Sequence, residues 1–142
     1  MANILVVEDE ERMRHLIAMM LKDYGHQVDE ASDGEAALEM IENIPYDLVI
    51  TDIKMPGMDG MELFRTLREN NILCPLIFIT AFATIESAVE AMRDGAVDYI
   101  TKPFEEERLL LTVERTLGVS RILAENRELQ EKLQSVGGGG EI

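Results

Sequence analysis

Leu48-Val49-Ile50-Thr51-Asp52 is a run of strand-forming residues without polar alternation, closed by a carboxylate. Such a run reads as a central parallel strand covered on both faces. Outward from it, Ile4 to Val7, Gln27 to Ala31, Leu76 to Thr80 and Val97 to Ile100 read as four further strands. The segments between them have helical period. Glu10 to Asp23 sets Met13, Leu16, Ile17, Met20 and Leu21 on one stripe, and Gly25 stops it. Asp33 to Glu42 opens on an N-cap Asp, turns Ala37, Leu38 and Ile41 inward and ends before Pro45. Met61 to Glu69, Thr84 to Arg93 and Glu105 to Leu117 complete five strand–helix units. This alternation predicts an α/β fold: a five-stranded, doubly wound parallel sheet with right-handed crossovers and five helices on its two faces.

In such a sheet the strand ends open on one edge, and Asp9, Asp52, Thr80 and Lys102 each stand right after a short apolar run of strand character. Glu8 joins Asp9 at the first strand end. If Glu8, Asp9 and Asp52 converge, each like-charged pair at ~4 Å repels by about 4 kcal/mol at an effective dielectric near ~20, so the cluster calls for a cation. Hard oxygen ligands without a neighbouring His or Cys favour Mg²⁺ over zinc. His15 and His26 are expected at the surface, away from this edge. Asp52 is followed by Met55-Pro56-Gly57-Met58-Asp59-Gly60, a turn that holds its strand end open to solvent. A carboxylate there can attack phosphorus and form an aspartyl phosphate. Lys102 then matches a point charge on a phosphoryl oxygen, and the Thr80 hydroxyl a hydrogen-bond donor to the same group. No residue in the set is placed as a base to activate water, which suits phosphoryl capture and slow loss with little turnover. Singly, each residue has a plainer reading: Asp52 as a turn carboxylate, Thr80 as a turn former, Lys102 as a surface charge. Four strand-end coincidences favour a common site.

The 142 residues suit one domain with a short appendage, and 46% hydrophobic content with only 5% aromatics and 9 Met points to an aliphatic core. A net charge of -15, with no basic cluster, argues against direct nucleic-acid or anionic-membrane binding. Cys74, the lone cysteine, reads as a packing residue; with no signal region and no membrane-spanning stretch, the expected setting is reducing and cytoplasmic. Past the first 117 residues the pattern changes. Val119, Ile122, Asn126, Leu129, Leu133 and Val136 form an a/d seam over 118–136 with Asn126 at an a position, which favours a parallel two-stranded coil. A solvated helical tail resting on its own domain is the alternative. Gly137 to Gly140 reads as a flexible joint within 137–142, with an output domain expected beyond it.

Glu8-Asp9 after the first strand, the stretch Asp52-Ile-Lys-Met-Pro-Gly-Met-Asp-Gly, Thr80-Ala81 and Lys102-Pro103-Phe104 together resemble the receiver domain of bacterial two-component response regulators, over residues 3 to about 117. The resemblance implies a flavodoxin-like strand order 2-1-3-4-5. It implies Mg²⁺ held by Glu8, Asp9, Asp52 and the backbone carbonyl of Lys54. Asp52 would take a phosphoryl group from a partner histidine kinase, stabilised by Thr80 and Lys102, by self-catalysed transfer and slow autodephosphorylation only. Tyr99 would be an aromatic switch beside the helix of residues 84–93, although a packed tyrosine looks the same in sequence. The dimer or partner face would be helix 84–93, strand 97–100 and helix 105–117, with or without helix 119–136. Glu8 stands where Asp is common in the family, lengthening the metal contact by one methylene and keeping the charge.

The segment from Thr80 to Tyr99, with the Asn126-bearing helix, looks like the NtrC-type subgroup, whose receiver and coiled linker precede an ATPase acting on RNA polymerase with an alternative sigma factor. Glu141-Ile142 would begin that domain. Two other readings remain: a receiver serving as a freestanding or differently coupled interaction switch, and a haloacid-dehalogenase-like phosphatase. The last needs a second Asp two residues after the nucleophile, where this chain has Lys54.

Overall fold

The computed structural model describes residues 2–81, residues 86, 90, 92, 93 and 95, and residues 98–118. Its sheet contains β1 (Asn3–Val7), β2 (Gln27–Ala31), β3 (Leu48–Thr51), β4 (Leu76–Thr80) and β5 (Asp98–Thr101), all parallel, in the order β2-β1-β3-β4-β5. The helices α1 (Glu11–Asp23), α2 (Gly34–Asn43) and α3 (Gly60–Glu69) are joined by α4, residues 106–118. Of the helix expected over 84–93, Glu86, Glu90, Met92 and Arg93 are described, and each is helical. The expected β5 is displaced by one residue toward Thr101, and α4 continues through Gly118, where the linker was expected to begin. The coil over 119–136 and the glycine joint lie outside the described residues.

Strand pleating explains why β1, β3 and β4 are almost wholly apolar: alternate side chains feed two separate cores. Leu5, Val7, Val49, Leu76 and Phe78 pack on α2 and α3 through Ala37, Ile41, Leu63, Phe64 and Leu67. Ile4, Val6, Leu48, Ile50, Ile77, Ile79 and Ile100 pack on α1 and α4 through Ile17, Leu21, Leu109, Val113 and Leu117. Phe64 and Phe78 meet edge to face at 5.9 Å in the first core.

The local stops lie where the chain chemistry puts them. Asp33 caps α2, its side chain accepting from Ala36 N–H, and Asp59 caps α3 in the same way through Glu62 N–H. Gly25 takes a φ of 94° just after α1, a conformation that L side chains rarely adopt. Two expectations need correction. Leu16 is 45% exposed, because the buried stripe of α1 is centred on Ile17 and Leu21 and takes in Ala18, leaving Leu16 at its margin. His26 is not a surface residue: it is 8% exposed, its Nδ1 accepts the Ala2 amide at 3.3 Å and its Nε2 lies 3.1 Å from Glu114 Oε1 on α4. Cys74 is half-buried, with its thiol donating to the Tyr46 carbonyl; burial, helped by Asp47, pushes it up to about 12, which leaves it inert at neutral pH.

Candidate functional site

The sheet ladder runs one residue past three strand ends, and this places the site. Glu8 N–H donates to Ala31 O at 3.1 Å, Asp52 N–H to Val7 O at 3.1 Å and Lys102 N–H to Thr80 O at 2.9 Å. Residues 8, 52 and 102 are therefore held by β-sheet hydrogen bonds although they lie outside β1, β3 and β5. Their side chains meet at the carboxyl edge of the sheet, the crevice position of doubly wound folds.

Ligand oxygens of Glu8, Asp9 and Asp52 all lie within 4.8 Å of one another. Glu8 and Asp52 are buried, whereas Asp9 faces solvent. Lys102 Nζ stands between the two buried carboxylates, donating to Glu8 Oε1 at 2.8 Å and to Asp52 Oδ2 at 2.9 Å. Burial pushes Glu8 up to about 7, with Lys102 opposing the rise and Asp52 adding to it. Burial lowers the Lys102 ammonium, but its bonds to Glu8 and Asp52 outweigh that and raise it. The donor set suits a hard divalent cation: three carboxylates, one of them open to water. Among the described residues no His or Cys joins this cluster.

A folded-state value near 7 against an ordinary 4.5 means that the folded chain retains a proton on Glu8 which the unfolded chain releases. Without metal, the Glu8 contribution to stability therefore falls as pH rises from about 4.5 through about 7. Urea midpoints of the metal-free chain across that window are expected to show this decline, and to lose the Glu8 part of it in Glu8→Gln. Because a cation must displace the proton, Mg²⁺ is expected to raise the melting temperature more at pH 8 than at pH 6.

Lys54, Thr80 and Tyr99 are the remaining sequence-predicted residues. Lys54 N–H donates to Asp52 Oδ1 at 3.2 Å, which sets the Lys54 backbone beside the Asp52 carboxylate. Thr80 is fully buried at the end of β4. The β4–β5 pairings Phe78↔Tyr99 and Thr80↔Thr101 put half-buried Tyr99 and Thr80 on one face of adjoining strands.

Three contacts around the site were not anticipated. Glu35, on the first turn of α2, accepts Met58 N–H at 3.1 Å and ties down the loop after Asp52. Gly60 N–H donates to Ile53 O at 2.8 Å, and a Cβ at Gly60 would stand 2.1 Å from Asp52 O. Its neighbour is backbone and cannot rotate away, so only glycine lets α3 start so close to Asp52. Gly60→Ala is expected to cost at least the roughly 1–3 kcal/mol of overpacking, read as a fall in the urea midpoint, and to displace Asp52. Arg14 is the third; its Nη1 donates to the Glu8 carbonyl at 2.9 Å. No local pattern announces these partners, since Glu35, Gly60 and Arg14 act on residues of other elements.

A family model for the response regulator receiver domain matches residues 4–114. Regulatory protein AtoC of Escherichia coli K12 is 37% identical over 132 residues, covering 93% of this chain and 29% of AtoC. Response regulator protein FleR of Pseudomonas aeruginosa is 40% identical over 114 residues, covering 80% of this chain and 24% of FleR. The crystal structure of NtrX from Brucella abortus superposes with a TM-score of 0.85 at 39% identity, over 90% of this chain and 29% of that one. The chain thus spans under a third of the length of these relatives.

Proposed function

The chain belongs to the response regulator receiver domain family, and we propose that it is a phosphorylation-dependent switch in which Asp52 accepts a phosphoryl group from a histidine kinase and thereby controls a transcription-activating output of NtrC type. The observation that carries this reading is Lys102 Nζ bridging Glu8 and Asp52 within the carboxylate cluster. This arrangement has a cation already aimed at the acceptor, in a half-buried crevice where charge interactions are strong.

In the transfer, an Asp52 carboxylate oxygen attacks phosphorus; the O–P bond forms, the P–N bond to the kinase imidazole breaks, and the imidazole nitrogen keeps the electron pair. Lys102 turns to the phosphoryl oxygens, and the Thr80 hydroxyl donates to the same group. Glu8, Asp9, Asp52 and the backbone carbonyl of Lys54 would hold Mg²⁺, which when bound neutralises phosphoryl charge. The new group carries up to about two negative charges, and movement of Thr80 toward it frees room on the face that Tyr99 shares. That motion alters the surface made by residues 84–93, β5 and α4, proposed with helix 119–136 as the dimer or partner face. The domains are read as a receiver over 1–117, a coiled linker over 118–136 and a joint over 137–142. Among the described residues no helix is long and apolar enough to cross a membrane, and a cytoplasmic setting fits a kinase-fed switch.

Intact-mass measurement after incubation with acetyl phosphate tests the proposal. One added phosphoryl mass with Mg²⁺, and none with chelator, is expected; no gain in a folded sample that binds Mg²⁺ would sink it.

A further inference from the structure

We propose that Arg14 and Glu30 form a strut that sets the Mg²⁺ affinity of the acidic pocket by holding the turn between β1 and α1, a positioning role that rests on the reading of Glu8, Asp9 and Asp52 as the metal's carboxylates. Arg14 lies on α1 and Glu30 on β2, an edge strand. The Arg14 guanidinium donates through Nη1 to the backbone carbonyl of Glu8 at 2.9 Å and through Nε to Glu30 Oε1 at 3.1 Å. Both side chains are largely withdrawn from solvent, at 14% and 23% exposure. His15 Nδ1, 2.7 Å from the same Glu30 oxygen, braces that carboxylate from outside.

Glu8 is consequently gripped on both sides. Its N–H is bonded to Ala31 O at the end of β2, and its carbonyl is bonded to an arginine that is itself anchored on β2. The peptide unit joining Glu8 to Asp9 is fixed by these bonds, and with it the spacing of the first two carboxylates of the pocket. Those carboxylates repel each other and Asp52, so an untethered turn would relax by letting them splay apart. A turn held during folding removes that reorganisation from the binding step. A planar fork suits the task because one rigid group serves two acceptors in different directions, which a lysine ammonium on a flexible stem does less well. Glu30 neutralises the guanidinium, so the strut supplies geometry rather than field.

The test is calorimetric titration of the full 142-residue chain with Mg²⁺, alongside Arg14→Ala, Glu30→Ala and the double variant. A field effect would move the two single variants in opposite directions, since one loses a positive and the other a negative charge near the pocket. A strut weakens both, by about tenfold as for other groups that orient metal ligands, and the double variant is no weaker than the poorer single one. Phosphorylation by acetyl phosphate is expected to recover near the unaltered rate once Mg²⁺ saturates. If circular dichroism shows Arg14→Ala unfolded, Arg14→Lys takes its place with the same expected direction. Unchanged affinity in folded variants, opposite shifts, additive losses, or phosphorylation still defective at saturating Mg²⁺ would each overturn the strut. If the unaltered chain itself binds no Mg²⁺, the pocket reading fails and the strut with it.

Discussion

Asp52→Asn is expected to stay at its starting mass under acetyl phosphate and Mg²⁺, while the unaltered chain gains one phosphoryl group. The substitution keeps shape and most hydrogen bonds: an amide oxygen can still accept from Lys54 N–H, which lies 3.2 Å from Asp52 Oδ1. It removes the anionic oxygen that attacks phosphorus. The loss should therefore be essentially complete, with little change in folding. Urea denaturation of the same samples reads stability, and the direction is informative. Asn leaves Glu8 as the one buried carboxylate bonded to Lys102, relieving like-charge repulsion, so the midpoint is expected to hold or rise. A mass gain in Asp52→Asn equal to that of the unaltered chain would place the acceptor elsewhere.

Lys102→Met is expected to move two quantities in opposite directions. Lys102 is the cation between Glu8 and Asp52, so it competes with a metal ion for the same oxygens. Methionine retains much of the side-chain volume and removes the charge, so Mg²⁺ should bind more tightly. Phosphorylation should nevertheless slow by about 10²–10³-fold, the usual loss when one charge-stabilising donor is removed from a reacting phosphoryl or acyl oxygen. Without its ammonium partner the Glu8 carboxyl is expected to rise above its present value of about 7, because the one strong opposing influence is gone. Calorimetric titration gives the first quantity and the time course of intact mass the second. A variant that loses both metal affinity and rate together would assign Lys102 to holding the pocket's shape instead.

Glu8, Asp9, Asp52 and Lys102, which the structure brings together, each follow a strand in a fold whose strand ends share an edge. Their convergence was legible for that reason. What each touches was not. The Glu8–Lys102 bond spans 94 residues and the His26–Glu114 contact 88, and a sequence gives no measure of such pairs beyond the topology that brings their elements near.

Strand and helix periods are local properties, set by which side chains recur at spacings of two or of three and four, so the sequence alone determined the alternating α/β pattern, the bounds of most elements and the polar residues at the strand ends. Strand order was supplied by resemblance to receivers and agrees with the sheet found. Only the tertiary structure decided that Leu16 faces outward, that His26 is buried, that Gly60 lies against the Asp52 backbone and that Arg14 reaches the Glu8 carbonyl. These are contacts between elements, fixed by close packing around a folded core, and close packing has no signature in the spacing of residues along the chain.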